Sequence, residues 1–153
     1  MSKESYLKPS VLGVGAVIEK DDRFLMVEEA KTMKEIGKEE KMFSFPSGFV
    51  EQYETPVEAL MREVPEGTGF SIEVVDIIGF YIVKGAVGIA FRAEITGGEL
   101  RASGDGSDIK SANWYPPDKV RRMNLRPAIL QILEDYILGQ SYPLEIFTDA
   151  RGN

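Results

Sequence analysis

The stretch from Met42 to Gly69 constrains the fold more than any other part of the chain. Met42-Phe43-Ser44-Phe45 has the residues of a short strand, and it ends at Pro46-Ser47-Gly48. A helix follows. Thr55 is a good N-cap, Pro56 fits the first helical position, and Glu58 completes a Thr-x-x-Glu capping box. Val57, Leu60, Met61 and Val64 fall at i, i+3, i+4 and i+7, so the spacing predicts one buried stripe. Gly69 stops the helix.

Around this core the pattern is mostly strands. Residues 11–18 and 24–27 are apolar runs flanking the polar turn Lys20-Asp21-Asp22-Arg23, which predicts a β-hairpin. Residues 31–41 carry seven charges of both signs without an apolar period, as a solvated loop does; a flap beside a site is the alternative. Strands are expected at about 71–83 and 87–95, joined near Lys84-Gly85, with turns at Gly97-Gly98 and 103–106. Asn113-Trp114-Tyr115 reads as a short strand, and a helix runs from Pro127 to Leu138 before Gly139. The sum is an α+β fold, a mixed sheet sandwiched by helices in one domain over residues 1–153.

Composition narrows the chemistry. The chain has no cysteine and no histidine, which excludes disulfides, zinc sites, thiol nucleophiles and histidine bases. Acid–base or metal chemistry must then come from carboxylates, Lys, Tyr or water. With 25 acidic against 18 basic residues and a net charge of -7, duplex nucleic acid is an unfavourable partner and a hard divalent cation a favourable one. No apolar run is long enough to span a membrane, and the first residues lack a signal-peptide pattern, so a cytoplasmic location is expected.

Residues 48–70 read Gly48, five residues, Glu54, seven residues, Arg62-Glu63-Val64, one residue, Glu66-Gly67, one residue, Gly69-Phe70. This closely resembles the Nudix box, G-x5-E-x7-R-E-U-x-E-E-x-G-U with U apolar, at every fixed position but one: Gly67 stands where the second Glu of the E-E pair belongs. Trp114-Tyr115-Pro116 is similar to the family's late tryptophan strand. The spacing has its own physics. Glu63, Glu66 and position 67 share one helical face, and clustered carboxylates repel unless a cation sits among them.

The resemblance implies a Nudix-like α/β/α sandwich and magnesium-dependent hydrolysis of the pyrophosphate bond in a nucleoside diphosphate linked to another group, with manganese as a substitute ion. It implies that Glu63 and Glu66 are metal ligands, with Glu63 also activating water. A backbone oxygen of Gly48 would join them. Glu54, Arg62 and Gly69 would support the box. An extra carboxylate is expected before the tryptophan strand, with Asp108 first and Asp105 second; Glu51 is a further candidate. Plainer readings stand beside these. Glu at i, i+3 is usual on a solvated helix, Trp114 suits packing better than base stacking, and aspartates beside glycines serve turns.

Gly67 and Pro65 depart from the pattern. Gly67 supplies no carboxylate, and Pro65 inside a helix costs about 3 kcal/mol, so a loosened last turn is expected. Tyr53 stands where many relatives have glycine, and Glu28-Glu29 where a basic residue is frequent. The alternative function is therefore a catalytically impaired module that binds a nucleotide or a protein. The nucleotide identity and a homodimer through Tyr142–Phe147 both stay open.

Overall fold

In the computed structural model, residues 11–83, 86–101 and 109–146 are described. The strands are β1 (Val11–Val17), β2 (Glu19–Lys20), β3 (Arg23–Glu29), β4 (Phe43–Ser44), β5 (Ser47–Phe49), β6 (Phe70–Val83), β7 (Ala86–Gly98) and β8 (Ile109–Tyr115). The helices are α1 (Pro56–Thr68), α2 (Pro117–Val120) and α3 (Ile129–Ile137), with short 3₁₀ turns at Lys34–Ile36 and Leu144–Ile146.

One sheet has the order β5-β1-β7-β6, and the other pairs β3 with β2, β4 and β8. β1 runs parallel to β7 from Val11↔Ala86 to Val17↔Arg92, while the other pairings are antiparallel, so the sheet is mixed. The expected hairpin between 11–18 and 24–27 forms but is short: Glu19–Lys20 pairs with the start of β3 through a turn with positive φ at Asp21 and Asp22, and Leu25 N–H donates to Ile18 O at 3.1 Å. β1 itself crosses into the other sheet.

Both faces of these strands are covered. Leu25 and Val27 pack with Leu60 and Val64 of α1, whereas Phe24 and Met26 pack with Val120, Ile129 and Leu133 of the other helices. This is the α/β/α sandwich, and it explains why residues 24–27 are continuously apolar rather than alternating. Trp114 packs against the α1-side core, its ring 6.1 Å from that of Phe70.

Local details follow the sequence in α1 and depart from it elsewhere. The Thr55–Glu58 capping box is formed. The buried face is Ala59, Leu60, Val64 and Thr68, however, and Met61 is 44% exposed. The last helix begins later than Pro127, because Ala128 adopts a left-handed φ of 73° before the first turn. Residues 31–41 form a mostly exposed loop, as expected, but one that is anchored at Ile36. Ile36 is buried, and Gly37 turns the chain back with φ 68° tightly against Pro127, where an added Cβ would lie 2.8 Å from the ring.

Candidate functional site

Sequence and fold bring the box residues together through Arg62. Its Nε donates to Glu54 Oε2 at 2.9 Å and its Nη2 to Glu54 Oε1 at 3.0 Å, a two-pronged pairing. Nη2 also donates to the Phe49 carbonyl at 3.1 Å, and Nη1 donates to Glu63 Oε1 at 2.7 Å. Glu54 accepts the Glu51 backbone N–H at 3.0 Å. The loop 49–54 is thereby fastened to α1. Arg62 and the Glu51 amide hold the Glu54 carboxyl down from an ordinary 4.5 to about 2. Hydrogen bonds donated to Glu54 and Glu63 raise the Arg62 pKa in turn.

Glu63 lies against Gly48. A Cβ added at Gly48 would sit 2.7 Å from Glu63 Oε1 and closer still to the carboxyl carbon. Only glycine leaves the room. Burial is the main cause that raises the Glu63 pKa; Arg62 opposes it, and the negative charges of Glu66 and Glu51 add to it. Glu66 and Glu51 are largely exposed, with Arg62 3.9 Å and 3.8 Å away.

Glu51, Glu63 and Glu66 offer oxygen donors of the kind that magnesium or manganese takes, and their mutual repulsion at Glu63 is what a divalent ion would relieve. Among the described residues, no three such side chains converge on one metal position, and Arg62 donates to Glu63. Asp105 and Asp108 lie outside the described residues.

The two departures in the box have structural answers. A Cβ at Gly67 would lie 2.6 Å from Cδ1 of Ile109, so a methyl group of β8 faces the position where relatives carry a carboxylate. Pro65 does not loosen the last turn. α1 continues to Thr68, whose hydroxyl donates to Val64 O at 2.7 Å, and Gly69 N–H donates to Pro65 O at 2.9 Å with a left-handed φ of 87°. Arg101 closes the helix end by donating to the carbonyls of Pro65 and Glu66. Tyr53, 90% exposed, takes the positive φ of 68° that a glycine would take freely.

These carboxylates open onto a cleft of about 630 Å³. Three glycines, Gly13, Gly15 and Gly88, leave part of its lining without side chains. Gly13 and Gly15 of β1 face Gly88 and Ala90 of β7 in register, on the strand face opposite Val14 and Ala16. Sequence reasoning missed this lining, although the Gly-x-Gly of β1 was in view. It also missed Glu29, Lys38 and Arg126, which line the same cleft.

The pattern of the NUDIX domain family matches residues 9–136. The chain belongs to the Nudix family. It is 30% identical over 138 residues to an ADP-ribose pyrophosphatase of Methanocaldococcus jannaschii, covering 86% of this chain and 75% of that protein. It is likewise 30% identical over 148 residues to the phosphatase NudJ of Escherichia coli, covering 93% and 92%. Among solved structures, a NUDIX hydrolase from Nitrosomonas europaea superposes with a TM-score of 0.79 at 29% identity, covering 95% of this chain and all of that one. These likenesses support an enzyme of the Nudix hydrolase type. No helix among the described residues is long and apolar enough to cross a membrane.

Proposed function

We propose that this Nudix protein is a divalent-metal-dependent hydrolase of the pyrophosphate bond in a nucleoside diphosphate linked to another moiety. The observation that carries the reading is Glu63, half-buried against Gly48 with Glu66 and Glu51 nearby, on the wall of a cleft part-lined by glycines. Glu63, Glu66, Glu51 and the Gly48 backbone oxygen would hold magnesium or manganese. When bound, the ion supplies neutralisation of diphosphate charge and electrophilic activation.

The chain's own groups do the rest. Glu63, beside the ion it would help to hold, takes a proton from the attacking water. The water oxygen bonds to phosphorus as the bridging P–O bond breaks, giving a nucleoside monophosphate and a phosphorylated second product. Arg62 and Glu54 fix the helix-to-loop geometry within which this happens. The glycine-lined part leaves room for a flat base or sugar ring.

A second reading rests on Ile109, whose methyl group faces the missing carboxylate at Gly67. In it the cleft binds a nucleotide with little dependence on magnesium, or a protein, and catalysis is lost. One experiment separates the two. A panel of nucleoside diphosphate derivatives is incubated with magnesium, and phosphate-containing products are followed. Turnover well above a Glu63→Gln control supports the hydrolase; no turnover above that control, with metal-independent binding by calorimetry, supports the second reading.

A further inference from the structure

Arg101 reaches the cleft from outside the box. It follows β7, and its backbone N–H donates to Thr68 O at 2.9 Å, which holds it against the C-terminal end of α1. Its Nη2 donates to the carbonyls of Pro65 and Glu66. Arg101 is exposed, and it lines the cleft together with Glu63, Glu66 and Gly67.

The cations of the cleft differ in what neutralises them. Arg62 faces Glu54 and Glu63, and Lys38 and Arg126 both face Glu29. Arg101 makes no ion pair with a carboxylate of the described residues, and neutral carbonyls hold it through one Nη. The end of a helix carries only roughly half a unit of negative charge, so these carbonyls fix the side chain without cancelling it. Nη1 and Nε have no hydrogen-bond partner among the described residues, and a guanidinium only donates.

Gly67 bears on the charge that is left over. A glutamate there would bring a carboxylate to this end of the helix. Gly67, with Ile109 Cδ1 2.6 Å from an added Cβ, brings none. A phosphate chain supplies the missing complement, since its oxygens accept and carry negative charge.

We propose that Arg101 binds the phosphate chain of the substrate: where the box lacks its second acidic residue, a guanidinium fixed on the helix end neutralises part of the diphosphate charge. This rests on the reading of the cleft as a nucleoside-diphosphate site, and it adds a substrate-binding residue from another part of the chain.

Calorimetry with calcium in place of magnesium tests it. ADP and adenosine differ by the phosphate chain alone. The wild-type protein should bind ADP about tenfold or more tightly than adenosine, and Arg101→Met should cut that ratio by about tenfold, the size expected of hydrogen bonds to a charged group, with adenosine and calcium affinities unchanged. Arg101→Lys keeps the charge and should lose less. Arg122→Met makes the same charge change at an exposed residue outside the cleft and should leave the ratio alone. Because Arg101→Met removes a helix cap and can fold poorly, a second measurement needs no variant. Phenylglyoxal modifies exposed arginines; ADP should slow modification of Arg101 several-fold in peptide mass spectra, and adenosine should not. A ratio unmoved in folded Arg101→Met whose melting temperature alone falls, a ratio that falls equally in Arg122→Met, ADP bound no more tightly than adenosine, or Arg101 modified as fast with ADP as without would overturn the assignment. Turnover of a diphosphate substrate with unchanged KM in Arg101→Met would sink this residue and leave the hydrolase standing. Phosphate-dependent binding through Arg101 without turnover of any substrate would do the reverse.

Discussion

Gly48→Ala is a one-methyl perturbation whose effect follows from the structure. The new Cβ would stand 2.7 Å from Glu63 Oε1 and nearer to its carboxyl carbon. Non-bonded carbons rest at about 3.5–4.0 Å and the carboxyl carbon would lie at 2.2 Å, so the carboxylate must retreat by more than about 1 Å. Glu63 is partly exposed and can swing toward solvent, which keeps the stability cost near the low end of overpacking, about 1 kcal/mol, or about 2–4 °C in melting temperature for a chain of this size. Function pays far more, because a 1 Å misplacement of a reacting group costs on the order of a hundredfold. The assay is kcat/KM on a hydrolysed nucleoside diphosphate derivative with magnesium, alongside a thermal melt. In a Glu63→Ala background the same methyl should lower neither quantity further, since its partner is gone. Wild-type kcat/KM in folded Gly48→Ala, or an equal loss in both backgrounds, would refute the reasoning.

Other perturbations give equally definite outcomes. Gly67→Glu alone should gain little metal affinity, because Ile109 Cδ1 lies 2.6 Å from the new Cβ; Gly67→Glu with Ile109→Ala should bind manganese more tightly than either single variant, measured by calorimetry. Pro65→Ala restores an N–H toward the Met61 carbonyl in a helix that continues to Thr68, and should raise stability by about 1–3 kcal/mol in urea unfolding. Gly15→Ala is accommodated by the fold, its Cβ meeting neighbours at 3.8 Å, but narrows the cleft; KM should rise several-fold, by about a factor of three or more, with kcat little changed. In the metal-free protein, NMR titration should place Glu63 above an ordinary 4.5 and Glu54 near 2. The depressed Glu54 contributes stability present above pH 4.5 and lost as pH falls toward 2, while the raised Glu63 contributes stability present below 4.5 and lost as pH rises through its folded pKa. An acid-unfolding series of Glu54→Gln checks the first sign, and Glu63→Gln the second.

What could be read from the sequence was local or fixed by spacing. The Thr55–Glu58 box, the Glu54–Arg62 pair and the glycine after α1 depend on residues within a few turns of one another, and all are formed. The hairpin at Asp21-Asp22 is real but stops at Ile18, because β1 pairs with β7, whose residue 86 faces residue 11. Met61 looked like core by helical period, yet it is 44% exposed. Pro65 looked disruptive because Arg101, which secures the helix end, comes from another part of the chain. Glu29 and Arg126 are 97 residues apart, and neither carries a local signal of the other. The charge run at 31–41 hid Lys38 for the same reason: its partner Glu29 lies on another strand, and the turn at Gly37 is fixed against the distant Pro127.

The account stands on a divalent ion gathered by the acidic side chains of α1 and the loop before it. A crystal soaked in manganese, with anomalous density mapped around the cleft, tests this most directly. The expected result is a peak bounded by Glu63 and Glu66, with Glu51 or water completing the shell and the Arg62–Glu63 contact of 2.7 Å opened. No peak there at high manganese, with Glu63 still held by Arg62, would contradict it.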